Sequence, residues 1–136
     1  MTAYSRVLTI GTTTRRQLVD ITNHALKFVE DCEVRDGLLT VCVPHATAAV
    51  VANENERGLQ RDILARIEAL FPQSSEYAHN RIDDNADSHL AATFLGHTRS
   101  FIIKDHQLVR GTWQNIFLVE LDGPRTRREV YFSIVG

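Results

Sequence analysis

The segment LLTVCVPHATAAVVA, residues 38–52, contains two apolar runs separated by a proline and a histidine. Residues 38–43 are almost continuously apolar, which is typical of a central strand. Pro44 has no amide hydrogen to donate to a strand ladder, so it ends that strand. Residues 47–52 are small or β-branched and predict a second strand. His45 therefore lies in the short connection between two strands.

Helical patterns flank these strands. We predict helices at residues 15–31, from Asn55 to Pro72, and at residues 85–95. Thr14 followed by Gln17 resembles a capping box for the first helix. Asn55 is expected to cap the second helix, Pro72 to stop it, and Gly96 to close the third.

The remaining apolar segments predict strands. They lie at residues 4–10, 100–104, 107–109, 112–121 and 129–134. Residues 73–84 form a polar loop that contains His79 and exceeds the usual loop length, which favours a functional or interface role. Strands at both ends with helices between them predict an α+β fold. We expect a single compact domain over residues 1–136, with a mostly antiparallel sheet and about three helices packed on it.

Composition and charge exclude several classes of protein. Fifteen basic and seventeen acidic residues give a net charge of −2, which argues against nucleic-acid and anionic-membrane binding. No apolar run approaches the ~20 residues of a membrane span. Residues 1–6 do not resemble a signal peptide, and the two cysteines have no CxxC spacing. We therefore expect a cytoplasmic protein with reduced thiols.

Three of the six histidines lie where an element ends or a loop opens: His45, His79 and His89. Neutral imidazole is a good zinc ligand, and three histidines with one open position describe a catalytic site. Spacing alone also allows surface or packed histidines. Asn85 lies four residues before His89 and shares its helical face, so it can contact the ring or a substrate.

Other polar and aromatic residues carry two interpretations each. Glu54 is a candidate general base or an exposed charge near a helix start. Trp113 is suited to stacking on a ring substrate, although a buried strand tryptophan is the ordinary outcome. Arg125, with Arg127 and Arg128, is suited to gripping a phosphate or to lying solvated in a turn.

Taken in order, several blocks resemble the YjbQ family. The matching blocks are Pro44–Ala49, Asn53–Glu56, Tyr77–Asn80, Asn85–Leu90, Leu95–Gly96, Gly111–Gln114 and Asp122–Arg125. The resemblance runs from about Gly37 to the C-terminus. It implies a compact α+β fold, a homotrimer and a histidine-lined pocket that holds a metal ion. It also implies secondary thiamine-phosphate synthase activity, a transferase reaction that joins a pyrimidine pyrophosphate to a thiazole phosphate.

The resemblance also implies roles for individual residues. His45, His79 and His89 become expected metal ligands, with zinc the expected ion and magnesium accompanying the phosphorylated substrate. Glu54 and His45 become the catalytic candidates. The expected substrate contacts are Asn85, Thr112, Gln114 and Arg125. The alternatives are a trimeric protein that binds a metal or small anion without turnover, and a metal-dependent hydrolase of a small phosphorylated molecule.

The chain departs from the family pattern at three places. Ala46 stands where the family usually has threonine, and Ser88 stands where it usually has alanine. Asp105-His106-Gln107 replaces the usual Asp-Gly-Arg turn. None of these changes affects a candidate ligand, but they leave the substrate contacts and the hairpin geometry open.

Overall fold

The computed structural model describes residues 1–74 and 76–136. Its strands are β1 (Ala3–Ile10), β2 (Gln17–Asp20), β3 (Gly37–Cys42), β4 (Ala48–Glu54), β5 (Thr98–Lys104), β6 (Gln107–Leu108), β7 (Gln114–Glu120) and β8 (Arg128–Val135). Its α-helices are α1 (Thr22–Asp31), α2 (Arg57–Leu70) and α3 (Ala86–Leu95), and a 3-10 turn covers Ala78–Arg81. The predicted single α+β domain is confirmed.

The strands form two antiparallel sheets instead of one. Five strands pair in the order β1-β8-β3-β5-β6, and three pair in the order β2-β7-β4. One core contains side chains from both sheets and from α1, among them Phe132 and Leu118. A second core joins the other face of the three-stranded sheet to α2 and α3. The three-stranded sheet is therefore a middle layer that is covered on both faces.

Strand β7 shows how this layering appears in the sequence. Ile116 and Leu118 face the core shared with the larger sheet, whereas Phe117 and Val119 face α2 and α3. Because both faces are buried, the strand is apolar at consecutive positions instead of alternating positions.

The predicted helix at residues 15–31 is wrong over residues 15–21. Gln17–Asp20 forms β2 and pairs with β7, and the helix begins only at Thr22. The side chain of Gln17 accepts a hydrogen bond from the Thr13 amide, so it braces a turn that leads into the strand. The Asp20 carboxylate accepts from the amide and the hydroxyl of Thr22, which ends the strand and starts the helix.

The predicted cap of the second helix lies one residue too early. Glu56 is the residue before α2, and its carboxylate accepts a 2.6 Å hydrogen bond from the Leu59 amide. Asn55 instead donates its side-chain amide to Asp20. Within residues 1–74 and 76–136, no helix has the length and apolar character needed to cross a membrane.

Candidate functional site

The candidate residues lie at two opposite ends of the three-stranded sheet. Antiparallel pairing places Ala48 beside Glu120 at one end and Glu54 beside Gln114 at the other. The two pairs are six residue steps apart along the strands, a distance of about 20 Å. We call these the Glu120 end and the Glu54 end. The sequence-predicted residues divide between them.

Glu120 is fully buried and its carboxylate is completely paired. Arg128 donates to it through Nε at 2.9 Å and through Nη2 at 2.5 Å, and the Thr12 hydroxyl donates at 2.7 Å. The amides of Leu121 and Asp122 also donate to it, each at 3.0 Å. Burial acts to raise the pKa of Glu120, but these hydrogen bonds outweigh it and hold the pKa below its ordinary value.

Asp122 joins two of the predicted substrate contacts at the Glu120 end. Its Oδ2 accepts from the Asn85 side-chain amide at 2.7 Å and from Arg125 Nη2 at 2.9 Å. Arg125 Nε also donates to the Asp122 carbonyl at 2.9 Å. The Asn85 Oδ1 atom is buried and has no hydrogen-bond partner among the described residues. Asn85 and Arg125 therefore lie together, with one acceptor uncommitted.

His79 and His89 are brought together as a pair. Their ring centroids lie 4.7 Å apart with the rings edge to face at 72°. They line a cavity of about 350 Å³ with Tyr77, Ala78, Ala86 and Leu90. His79 Nε2 is buried without a hydrogen-bond partner in the described part of the chain. An imidazole nitrogen in this state is an available lone pair or an available donor, depending on the tautomer.

His45 is held separately from this pair. Its Nε2 accepts a 2.9 Å hydrogen bond from the Glu129 amide. Burial, with the nearby positive charge of Arg128, lowers the pKa of His45, so its neutral form is favoured. In residues 1–74 and 76–136, no three His, Cys, Asp or Glu side chains are grouped closely enough to hold a metal ion. The three predicted ligands do not meet within one chain.

Asp87 organises a charged cluster that the sequence reasoning did not identify. It is fully buried and binds Arg15 at 2.9 Å and Arg16 at 2.5 Å. Burial acts to raise the pKa of Asp87, but the two guanidinium groups outweigh it and lower the pKa. The neighbouring Ser88 hydroxyl donates to the Leu121 carbonyl, so the serine that departs from the family pattern is used structurally. In the sequence, the signal for this cluster is that Asp87 lies within the apolar face of a short predicted helix.

The Glu54 end is an open recess of about 490 Å³. It is lined by Ala52, Asn53, Glu54, Leu59, Gly111, Thr112, Trp113 and Gln114. The structure therefore brings together three predicted residues, Glu54, Thr112 and Gln114. Trp113 precedes β7 and is 71% exposed, so it is not a buried strand tryptophan.

Comparison with known proteins agrees with the fold and the motifs. A curated protein of Archaeoglobus fulgidus, named UPF0047 protein, is 47% identical over 90% of this chain and 95% of its own. The Bacillus subtilis UPF0047 protein YugU is 31% identical over 96% of this chain and 98% of its own.

A solved structure gives the same result. The crystal structure of a protein of unknown function from Sulfolobus solfataricus superposes with a TM-score of 0.98 at 48% identity. That match covers 99% of this chain and 98% of the other. The family described as UPF0047 protein YjbQ-like matches residues 6–136. The chain therefore belongs to the YjbQ-like UPF0047 family.

Proposed function

We propose that the chain is the subunit of a homotrimeric enzyme of the thiamine-phosphate synthase type. In this reaction a thiazole phosphate attacks the methylene carbon of a pyrimidine pyrophosphate through its ring nitrogen. A carbon–nitrogen bond forms, the carbon–oxygen bond to pyrophosphate breaks, and pyrophosphate leaves. The observation that carries the proposal is the His79–His89 pair, whose two rings line a cavity. The buried Nε2 atom of His79 has no partner among the described residues.

The histidine pair fits a metal ion. Two imidazoles with an uncommitted ring nitrogen are a donor set that zinc prefers. His45 is the third proposed ligand, and a neighbouring copy has to supply it because one chain does not bring it to the pair. A bound divalent ion would neutralise negative charge on the departing pyrophosphate. Magnesium carried by the substrate's phosphates is the proposed second ion.

Arg125 and Asn85 support binding of a phosphorylated molecule at this end of the sheet. Asp122 fixes the Arg125 guanidinium at two points, so this donor is oriented before a ligand arrives. A guanidinium can bind phosphate oxygens with two parallel hydrogen bonds. The buried Asn85 carbonyl oxygen remains as an acceptor for a hydroxyl or amino group. Together they would orient a substrate beside the histidines.

The outer face of the five-stranded sheet supports assembly of several copies. Several large apolar side chains on this face are exposed: Val7, Leu38, Ile102, Tyr131 and Val135. The strand register places Leu38 beside both Ile102 and Val135, and Val7 beside Tyr131. A row of hydroxyl side chains that includes Thr40 and Ser133 separates these two groups. The larger group spans three neighbouring strands, and adjoining exposed apolar side chains of this kind mark surfaces that contact other proteins. We propose that other copies of the chain cover it.

Glu54, Thr112 and Gln114 are the remaining proposed catalytic and substrate contacts. They lie at the Glu54 end, about 20 Å along the sheet from the Glu120 end. They can reach a substrate held at the histidines only across a subunit boundary. Mixing equal amounts of His89→Ala and Glu54→Ala subunits tests this arrangement. If each site takes its histidines from one subunit and Glu54 from the neighbour, about one quarter of the sites in random mixed assemblies contain only intact residues and regain activity.

Pyrophosphate release from the two substrates by purified protein tests the function directly. His79→Ala and His89→Ala are expected to lose the bound metal and at least about 100-fold in rate. His24→Ala is the matched control, because His24 is exposed on α1 and is expected to keep both.

Rescue of a thiamine-requiring strain that lacks its own synthase tests the same activity in cells. Stoichiometric metal without pyrophosphate release would favour a binding protein and contradict the proposed enzyme. Rescue that survives both histidine substitutions would remove the histidines from the mechanism.

A further inference from the structure

The recess at the Glu54 end contains a large aromatic surface that is open to ligands. Trp113 is 71% exposed and belongs to neither hydrophobic core. It is also the only tryptophan in the sequence. An exposed indole in a recess presents a flat apolar face with a negative electrostatic potential, which suits planar rings and cations.

The loop that carries Trp113 is braced from both sides. The Gln114 amide donates to the Gly111 carbonyl at 3.0 Å, which closes a turn with Thr112 and Trp113 at its tip. The Gly111 amide donates to the Gln114 side-chain oxygen at 3.1 Å. Arg110 donates to the Gln114 carbonyl at 2.6 Å and to the Asn115 side chain at 3.2 Å. The tip is therefore ordered before a ligand binds.

Glu54 is the one ionisable side chain among the residues that line this recess. Its carboxylate has neither a salt bridge nor a hydrogen bond to the described residues, whereas its backbone amide is bonded to Asn53. The Gln114 side-chain oxygen is occupied by Gly111, so the amide hydrogens of Gln114 are the remaining polar groups of that side chain. The recess thus combines an aromatic face with one carboxylate that has no direct partner among the described residues.

We propose that this recess binds a planar nitrogen heterocycle that bears a ring amino group or a positive charge. The ring stacks on Trp113, and the Glu54 carboxylate accepts from the amino group or faces the cation. This inference rests on the proposed function, whose substrates and product contain an aminopyrimidine and a thiazolium ring. It assigns the ring to the Glu54 end and leaves the phosphates to the Glu120 end.

Tryptophan fluorescence tests the inference without turnover, because Trp113 alone reports. The assembled wild-type protein is titrated with thiamine, which carries both an aminopyrimidine and a cationic thiazolium, and the signal is corrected with free tryptophan. We expect saturable quenching. Glu54→Gln should weaken binding about tenfold, because the ligand loses a charged acceptor. Glu30→Gln, an exposed glutamate on α1, is the matched control and should bind as wild type.

Three results would overturn the inference. These are quenching without saturation, an anionic ring such as pyridine-3-sulfonate that binds as tightly as thiamine, and a Trp113 that acrylamide cannot reach in the assembled protein. His89→Ala should bind thiamine as wild type does, whatever its rate of pyrophosphate release. A failed ring site and a failed enzymatic function are therefore told apart. Calorimetry with Trp113→Ala completes the test, since that variant should release no binding heat.

Discussion

Glu120 and Glu54 lie at opposite ends of neighbouring strands, and their carboxylates meet different surroundings. The Glu120 carboxylate is buried and receives hydrogen bonds from Arg128, Thr12 and two backbone amides. The Glu54 carboxylate is half-buried in a recess and has no partner among the described residues. A buried charge that is fully paired is costly to leave without its partner, whereas an unpaired charge beside an exposed aromatic ring remains available to a ligand.

The same contrast separates other buried polar residues. Arg128 is fully engaged by Glu120 and Thr47, and Asp87 is paired with Arg15 and Arg16. The His79 ring, the Asn85 carbonyl and the Arg16 guanidinium keep buried atoms without partners in the described chain. Unsatisfied buried atoms of this kind are rare, so they are better guides to a site than the charged residues alone.

Replacement of Glu120 should cause the largest loss of stability. Glu120→Ala leaves Arg128 buried without its carboxylate, and breaking a buried pair from one side costs about 3–5 kcal/mol. Glu54→Ala is the matched substitution at the other end and should change the free energy of unfolding by less than about 0.5 kcal/mol. Urea denaturation measures both. Equal losses would show that the two ends do not differ as described.

Asp87→Asn should cost about 2 kcal/mol, because hydrogen bonds between charged groups become bonds to a neutral amide. The asparagine keeps an acceptor oxygen, so we expect a smaller loss than for Glu120→Ala. Asp62→Asn, an exposed carboxylate on α2, serves as the comparison and should leave the urea midpoint unchanged. If Asp87→Asn and Asp62→Asn had the same urea midpoint, the negative charge of Asp87 would not contribute to the stability of the protein.

The sequence predicted the strands around Pro44 well, because the apolar runs and the proline act locally. It did not predict β2, because Gln17–Asp20 becomes a strand only through pairing with β7, about 100 residues away. Helical spacing over residues 15–31 therefore described the second half of that segment and not the first. Pairing between distant strands overrides local pattern at such places.

The site shows the same limit. The sequence predicted that His45, His79 and His89 lie where an element ends or a loop opens. Only the fold shows that His79 and His89 are a pair. Glu120 lay within an apolar run, and its pairing with Arg128 depends on the turn between β7 and β8. In that turn a Cβ on Gly123 would lie 2.2 Å from the Thr14 carbonyl, so glycine is required.

The unusual Asp105-His106 turn has a structural explanation. Both residues have positive φ angles, 50° and 63°, where glycine is the usual residue. The His106 ring nitrogen lies 3.0 Å from the Val29 carbonyl and 2.8 Å from the Cys32 carbonyl. These contacts cap the end of α1 and offset the conformational cost of histidine at this position.

Acid should destabilise the Glu120 end first. The pKa of Glu120 is lowered from its ordinary value of 4.5, so its contribution is fully present above pH 4.5 and is lost as the pH falls through the folded-state value. One such group changes the free energy of unfolding by at most about 1.4 kcal/mol per pH unit. Urea titrations from pH 6 to pH 3 should show a shallower dependence for Glu120→Ala than for Glu54→Ala. If the free energy of unfolding of the two variants changed equally with pH, the lowered pKa of Glu120 would be contradicted.

Ser88→Ala should cause the smallest of these losses in stability. It removes a single neutral hydrogen bond at the Glu120 end. The Ser88 hydroxyl donates to the Leu121 carbonyl at 2.5 Å in a fully buried position, and its loss should cost about 1 kcal/mol. Thr93→Ala, an exposed position on α3, should cost less than about 0.5 kcal/mol. Since the hydroxyl faces Leu121 and not the histidines, metal affinity should stay unchanged. If the proposed metal site is present, a loss of metal affinity in Ser88→Ala would place this residue in that site instead of the structural network.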